Sequence, residues 1–465
     1  KYLQDNNPKL DTSKVVSQNI FGLDINRSIA RIAKMKLLLE ANGKTNILCT
    51  NSLEDLDSVK LSLGQQNGFD LVLTNPPFGA KITQSSVLSK FDLGHKWGNK
   101  SNEFYQTKTV YANQNAEILF IERCLQLLKE GGRMAIVLPN GNFENPSLDY
   151  LRYYIKQKAK VLAIVNLPQE TFIPFGTGVK TSLLFLEKDT KNEEKHYPIF
   201  FGRITKLGYQ GNKNGTPIYQ KDKFGQIIKD ENKQPILDED FSATIENYKA
   251  FLKGKKIETE NSFSIQFNEL NGRFDYDFYS PENRKLFSNL TNFKTVRLGD
   301  ICEIVKTKSR KLKDPNLIVE YVELSDINTH SYEIINSTTS QVHELPSRAS
   351  YEIEQGDIIT AIAGNSVGTR KHATALVTED LAGSICTNGF RVLRNFKIDS
   401  YYLLYYLKSE MFLKQMFMYR TGAAIPNVSD TDLANIIIHL PEQKTIDDIS
   451  NKMKKAFELR QASKQ

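Results

Sequence analysis

An apolar segment, Asp70-Leu71-Val72-Leu73-Thr74, runs without a break into Asn75-Pro76-Pro77-Phe78-Gly79. Consecutive prolines fix φ and remove two backbone donors, so an extended segment must stop there and turn. The surrounding sequence decides what kind of sheet this strand belongs to. Residues 19–25, 46–49, 69–74, 133–138, 160–167 and 180–187 read as strands, and 28–41, 116–128 and 147–157 as helices. The helix 28–41 places Ile29, Ile32, Ala33 and Leu37 on one face, and Gly131-Gly132 is expected to stop the helix 116–128. Strands separated by helices predict an α/β fold: a mostly parallel, doubly wound, Rossmann-like sheet. In such a sheet ligands bind at the carboxyl ends of strands, where Asn75 stands.

The texture changes at Lys188. A charged run, 188–195, leads into Gly- and Lys-rich material, 208–215, read as a hairpin-rich extension of the first domain; no long internal repeat is evident. The charge runs 253–256 and 258–260 read as a linker. Beyond about Phe263 short β-rich segments dominate (318–324, 358–362, 389–393, 436–440), with a helical stretch at 401–416. Residues 445–459 carry Ile446, Ile449, Met453 and Phe457, a helical stripe able to begin a coiled coil. The expected domains are therefore 1–258, 262–440 (β-rich, α+β) and a C-terminal helix, 441–465.

Composition excludes several classes. With 40% hydrophobic and 25% charged residues and no run of about 20 apolar residues, a globular protein is expected and a membrane span is not. Cys49, Cys124, Cys302 and Cys386 are widely spaced, which argues against a metal site or disulfide framework and fits a reducing, cytoplasmic setting. The net charge of +7 permits a nucleic-acid partner without requiring one.

The residue types at 75–78 suit chemistry on a planar exocyclic amine. Such a nitrogen is a poor nucleophile because its lone pair is delocalised into the ring. Two acceptors, the Asn75 side-chain oxygen and the Pro76 carbonyl, can bind its two protons and turn the lone pair out of plane toward a methyl donor. Charge developing on the nitrogen is stabilised by those dipoles, so no strong base is needed. Pro76 and Pro77 make the turn stiff, and Phe78 offers a face for a flat ring. The plain alternative is a turn after a strand.

Asn75–Phe78 resembles the Asn-Pro-Pro-Phe motif of amino-group methyltransferases. Phe21-Gly22-Leu23-Asp24-Ile25-Asn26 resembles the segment in which those enzymes bind the ribose of S-adenosylmethionine, which implies that role for Asp24, with Ile25 beside it. Thr50-Asn51-Ser52-Leu53 resembles the segment that meets the cofactor's adenine; the family usually has Asp where this chain has Asn51. Residues 117–120, 129–133 and 138–141, then 167–172 and 177–181, resemble the later motifs of type I modification subunits in the same order. There an aromatic residue helps hold the flipped base, implying Phe172, with Phe175 as the other candidate. The resemblance covers roughly residues 15–210 and implies an adenine-N6 DNA methyltransferase of a restriction-modification system. The family's Gly-rich loop after the first, central strand is absent near the start, so the natural protein is expected to extend upstream.

The second half resembles a target-recognition domain of a type I specificity subunit, in segments 296–302, 321–328, 356–359, 422–429 and 440–443. That implies double-stranded DNA as a partner. Lys306, Lys308, Arg310, Lys311, Arg370, Lys371 and Arg420, all expected on loops, are the candidates to touch it, each also readable as a solvated surface residue. Further partners implied are restriction or specificity subunits, or a second copy through the C-terminal helix. Two other readings stay open: an amino methyltransferase acting on RNA or protein, or a non-catalytic DNA-binding subunit. No nucleotide-binding GxxxxGK[ST] loop is present.

Overall fold

The computed structural model describes residues 7, 11–41, 45–64, 67–100, 103–191, 196–270, 272–422 and 425–464. Residues 192–195 of the charged run, and 423 and 424 of the segment 422–429, lie outside the described residues. The chain divides into two compact units, Lys1–Phe143 with Ser147–Phe274, and Glu144–Pro146 with Asp275–Gln465. The division falls beyond the expected linker near 258–262 because Ser262–Gln266 adds a strand to the first unit, antiparallel to Pro198–Arg203.

Twelve strands build the first unit: β1 (Phe21–Asp24), β2 (Asn46–Cys49), β3 (Phe69–Thr74), β4 (Lys81–Ile82), β5 (His95–Lys100), β6 (Glu103–Val110), β7 (Gln114–Asn115), β8 (Leu128–Pro139), β9 (Ala159–Asn166), β10 (Thr181–Lys188), β11 (Pro198–Arg203) and β12 (Ser262–Gln266). β1 and β2 form a parallel pair, and six others form a sheet in the order β12-β11-β9-β10-β8-β3. The expected mostly parallel α/β sheet is found, since β3, β8, β9 and β11 share one direction, with β10 and β12 reversed. β3–β8 and β9–β11 are parallel, but β10 runs antiparallel to both β8 and β9. The middle of the sheet is covered on both faces: β9 reads almost continuously buried, and Phe201 on β11 stacks on Phe263 of β12 with ring centroids 5.1 Å apart. Such runs are what two-sided burial of a sheet demands.

Several helix expectations also change. Residues 19 and 20 are not strand: a helix, Thr12–Asn19, capped by the Asp11 side chain, precedes β1. The Ala116–Leu127 helix ends before the glycines, and Gly131-Gly132 lie within β8, where the pairing with β3 shifts register. Only Ala33 and Leu37 of the expected apolar face of the Arg27–Ala41 helix are half-buried; Ile29 and Ile32 are 51% and 63% exposed. β3 is likewise open on one side. Leu71 and Leu73 are 58% and 69% exposed, and among the described residues no strand pairs with its outer edge.

Residues 207–239 hold a short repeat that sequence reading missed. Three hairpin turns follow one another, and Asn212, Asp222 and Asp230 each accept two backbone N–H groups of their own turn. Gly215, Gly225 and Lys233 take the positive φ that each turn needs. Gln220, Ile228 and Ile236 close a ring: the N–H of each donates to the carbonyl of another, at 2.9, 2.9 and 3.0 Å.

The second unit has two four-stranded sheets. The antiparallel one runs Glu303–Ile304, Phe390–Arg394, Ile358–Ala361, Thr374–Leu376. The other runs Thr338–Gln341, Ile318–Val322, Ile385–Thr387, Ala349–Glu352, with one parallel pair. The expected helix 401–416 is two, Ser400–Tyr406 and Glu410–Tyr419, separated where Ser409 caps the second. The last helix, Gln443–Lys464, turns its stripe inward. Ile446 and Phe457 are buried in the unit's own core, with Ile449 and Met453 packed against it. The stripe is therefore spent within this unit rather than offered to a coiled-coil partner.

Candidate active site and recognition loops

β1, β2 and β3 deliver the predicted residues at their carboxyl ends. Asp24 closes β1 beside Cys49 of β2, and the Thr50 N–H donates to the Asp24 carbonyl at 3.1 Å. The Asp24 Oδ1 accepts the Asn26 N–H at 2.7 Å, while Asn26 Oδ1 caps the next helix by accepting from Ser28 and Ile29. One carboxylate oxygen of Asp24 is thus used to shape the turn. Ile25 is 71% exposed next to it. Asn51 is more committed: its Oδ1 accepts the Leu53 N–H at 3.0 Å, which forms the turn that follows β2. Ser52 lies in that same turn, half-buried.

At the end of β3 the chain behaves as the sequence requires. Pro76 is buried and anchors the turn, whereas Asn75 and Pro77 are exposed and Phe78 is half-buried. Among the described residues no group hydrogen-bonds the Asn75 carboxamide. Phe78 meets Phe172 edge to face, centroids 5.8 Å apart, and Phe172 lies 6.4 Å from Phe175. Phe172 is half-buried on an apolar cluster, and Phe175 is 77% exposed. Residues almost one hundred positions apart thus form one aromatic wall beside Asn75's turn.

Two supports went unnoticed in the sequence. The turn is docked on the Ala116–Leu127 helix: Gly79 N–H donates to Glu117 Oε2 at 3.1 Å, and Ala116 N–H to the Ala80 carbonyl at 2.8 Å. Burial raises the Glu117 carboxyl above its usual range, against the hydrogen bonds and Lys81 that lower it. A buried charge inside Ala-Glu-Ile-Leu-Phe-Ile was the available signal. Separately, Ser182 at the start of β10 donates to Asn140 Oδ1 at 2.9 Å and accepts from Asn166 Nδ2 at 3.3 Å, tying together the ends of β8 and β9.

The basic residues of the second unit fall into two groups. Lys306, Lys308, Arg310 and Lys311 follow the strand Glu303–Ile304, and Lys306, Lys308 and Lys311 are exposed. Arg310 is corrected from surface contact to internal tie, because its guanidinium donates to the carbonyls of Val342, Leu345 and Pro346. Arg370 and Lys371 are exposed on the loop after Ile358–Ala361. Arg420 joins them, but its guanidinium lies 3.6 Å from the centre of the Phe417 ring and donates to the Val367 carbonyl, and burial lowers its pKa. The loop hangs on fully buried His372, a residue sequence reading passed over. Gly368 N–H donates to Nδ1 at 3.1 Å, so Nε2 carries the proton and donates to Thr360 Oγ1 at 2.9 Å. Burial pushes this imidazole down to about 3. Lys408 Nζ adds a hydrogen bond to the His372 carbonyl at 2.7 Å.

Residues 1–278 match the profile of the N-6 DNA Methylase family. The chain belongs to that family. The second unit matches the Type I restriction modification DNA specificity domain over residues 291–465. Over 126 residues the chain is 29% identical to the type I restriction enzyme EcoEI methylase subunit of Escherichia coli, spanning 27% of this chain and 22% of that protein. It therefore covers about a fifth of that relative's length. A modification subunit of a putative type I restriction enzyme from Vibrio vulnificus is 20% identical, with TM-score 0.37, over 55% of this chain and 45% of that one. The HsdS subunit from Thermoanaerobacter tengcongensis is 28% identical, with TM-score 0.30, over 37% and 43%. All four cysteines of the chain are free. Among its described residues no acidic, His or Cys group is arranged to hold a metal, and no helix is long and apolar enough to cross a membrane.

Proposed function

We propose that this chain is the modifying and target-reading part of a restriction-modification system. It transfers a methyl group from S-adenosylmethionine to N6 of an adenine rotated out of double-stranded DNA. The observation that carries this reading is the exposed Asn75 on a stiff prolyl turn at the end of β3, with Phe78 and Phe172 beside it. Asn75 Oδ1 and the Pro76 carbonyl accept the two amino protons and direct the lone pair away from the ring. The aromatic wall takes the face of the base, offsetting the few kcal/mol that unstacking costs.

The residues present fit the nucleoside end of the cofactor. Asp24 Oδ2 remains to accept from ribose hydroxyls once Oδ1 has taken the Asn26 N–H, and Ile25 supplies an exposed apolar face. Asn51 and Ser52 would meet the adenine, Asn51 through the amide proton left over once Nδ2 has donated to Glu54 Oε1 and Oδ1 has accepted the Leu53 N–H. The cofactor supplies an electrophilic methyl group. A Gly-rich loop for its methionine end is not found near the start of residues 1–465. The second unit places the DNA through Lys306, Lys308, Lys311, Arg370 and Lys371, and restriction or specificity subunits complete the system.

Single-molecule sequencing of DNA from cells expressing the whole gene tests this. Modified adenines at a fixed sequence are expected. Asn75→Ala should lower the rate by about 100-fold or more, as for loss of a charge-stabilising dipole, while DNA affinity stays within about twofold. Full modification by Asn75→Ala would sink the assignment.

A further inference from the structure

The Ala116–Leu127 helix carries three acidic or basic side chains, Glu117, Glu122 and Arg123, each only 2% exposed. Burying such groups is unfavourable unless each finds partners, and apolar residues would pack there more readily. All three reach the backbone of loops, although Glu122 also accepts from Gln126 Nε2 and Arg123 makes its hydrogen bond through Nη2 alone, with Nε and Nη1 buried. Glu117 takes the Gly79 N–H of the prolyl turn at 3.1 Å. Glu122 takes the N–H groups of Asp92 and Leu93 at 2.9 and 2.8 Å. Arg123 Nη2 donates to the Glu54 carbonyl at 2.6 Å, and its guanidinium lies 4.9 Å from the centre of the Phe91 ring. Glu54 closes the turn made by Asn51, whose carbonyl accepts the Glu54 N–H at 3.2 Å. One rigid helix thus grips the turn after β3 near its start and the turn after β2 six residues later, about 9 Å along its axis.

We infer that this helix is a strut that sets the catalytic turn in register with the cofactor turn, with Glu117 and Arg123 as positioning residues for the two. The inference rests on the methyltransferase reading. Neither residue touches substrate. Glu117 holds the backbone just past Phe78, and so fixes where the Asn75 and Pro76 acceptors point. Arg123 holds the backbone just past Asn51 and Ser52. Glu122 fixes the intervening segment at Asp92 and Leu93, and so keeps the helix seated.

The full-length enzyme, with any partner subunit, is compared with Glu117→Ala, Glu117→Gln and Arg123→Met by hydrogen–deuterium exchange and steady-state methylation. Glu117→Ala should speed exchange in peptides covering 75–82 and leave 50–56 unchanged. Its kcat should fall roughly 10- to 100-fold, the range that loss of alignment can cost, at unchanged KM for S-adenosylmethionine. Glu117→Gln keeps an acceptor oxygen and should restore most of that loss. Arg123→Met should do the reverse: faster exchange at 50–56, and a raised cofactor KM with kcat little changed. The strut is overturned if each variant loosens both turns alike, if neither turn responds, or if kcat and KM shift together in both. Lack of DNA methylation by the wild-type enzyme would instead overturn the proposed function, and the exchange pattern would still judge the strut.

Discussion

At the scale of single residues, the decisive question is which polar groups are free and which are consumed. A count of cations on loops cannot answer it. Arg310 and Lys308 looked equivalent in sequence, yet the Arg310 guanidinium satisfies three carbonyls while Lys308 is exposed. Arg310→Ala should therefore cost about 1–3 kcal/mol of stability by orphaning acceptors, read from chemical denaturation. Lys308→Ala should stay within about 0.5 kcal/mol, but lower the slope of log affinity against log salt by about 0.9 if it meets a phosphate. His372 makes a pH-dependent contribution. Its folded pKa is near 3, against 6.5 ordinarily, so the unfolded chain binds a proton between those values and the folded one does not. The stability it confers is present above pH 6.5 and is lost as pH falls toward 3. Each pH unit in that window should cost up to about 1.4 kcal/mol. His372→Gln should remove one proton's worth of that slope in denaturant melts taken between pH 4 and 7.

At the scale of elements, what was legible was what is locally encoded. β2 and β3 begin and end where apolar content and prolines put them, and the strand-end positions of Asp24 and Asn75 followed at once. Strand direction is not local. Nothing in residues 181–188 says that they run antiparallel between β8 and β9, because a buried strand has the same composition either way. The hairpin ring was missed because its period of eight is carried by turn residues rather than by an apolar repeat. The final helix shows the opposite failure. Its stripe was read correctly and its partner wrongly, since a stripe tells which face is buried but not against what. Phe457 is 5% exposed and packs on Tyr401, centroids 5.9 Å apart. Phe457→Ala should accordingly destabilise the full chain by about 3–5 kcal/mol, measured by denaturant unfolding. A helix that served only to meet another copy would tolerate the change in the isolated monomer.

At the scale of the whole molecule, the two matched families fall on the two structural units, residues 1–278 on the first and 291–465 on the second. Exchanging residues 275–465 for another specificity domain should move the modified adenine to a new sequence without changing the base modified, as read by single-molecule sequencing. Modification that stayed at the original sequence would place recognition in the first unit. The open flank of β3 has a different consequence. Among the described residues that edge pairs with no strand, and its exposed amides and carbonyls, beside exposed Leu71 and Leu73, are a ready template for a strand from a neighbouring molecule. Self-association through that edge, if it is left uncovered, would start within a few residues of Asn75.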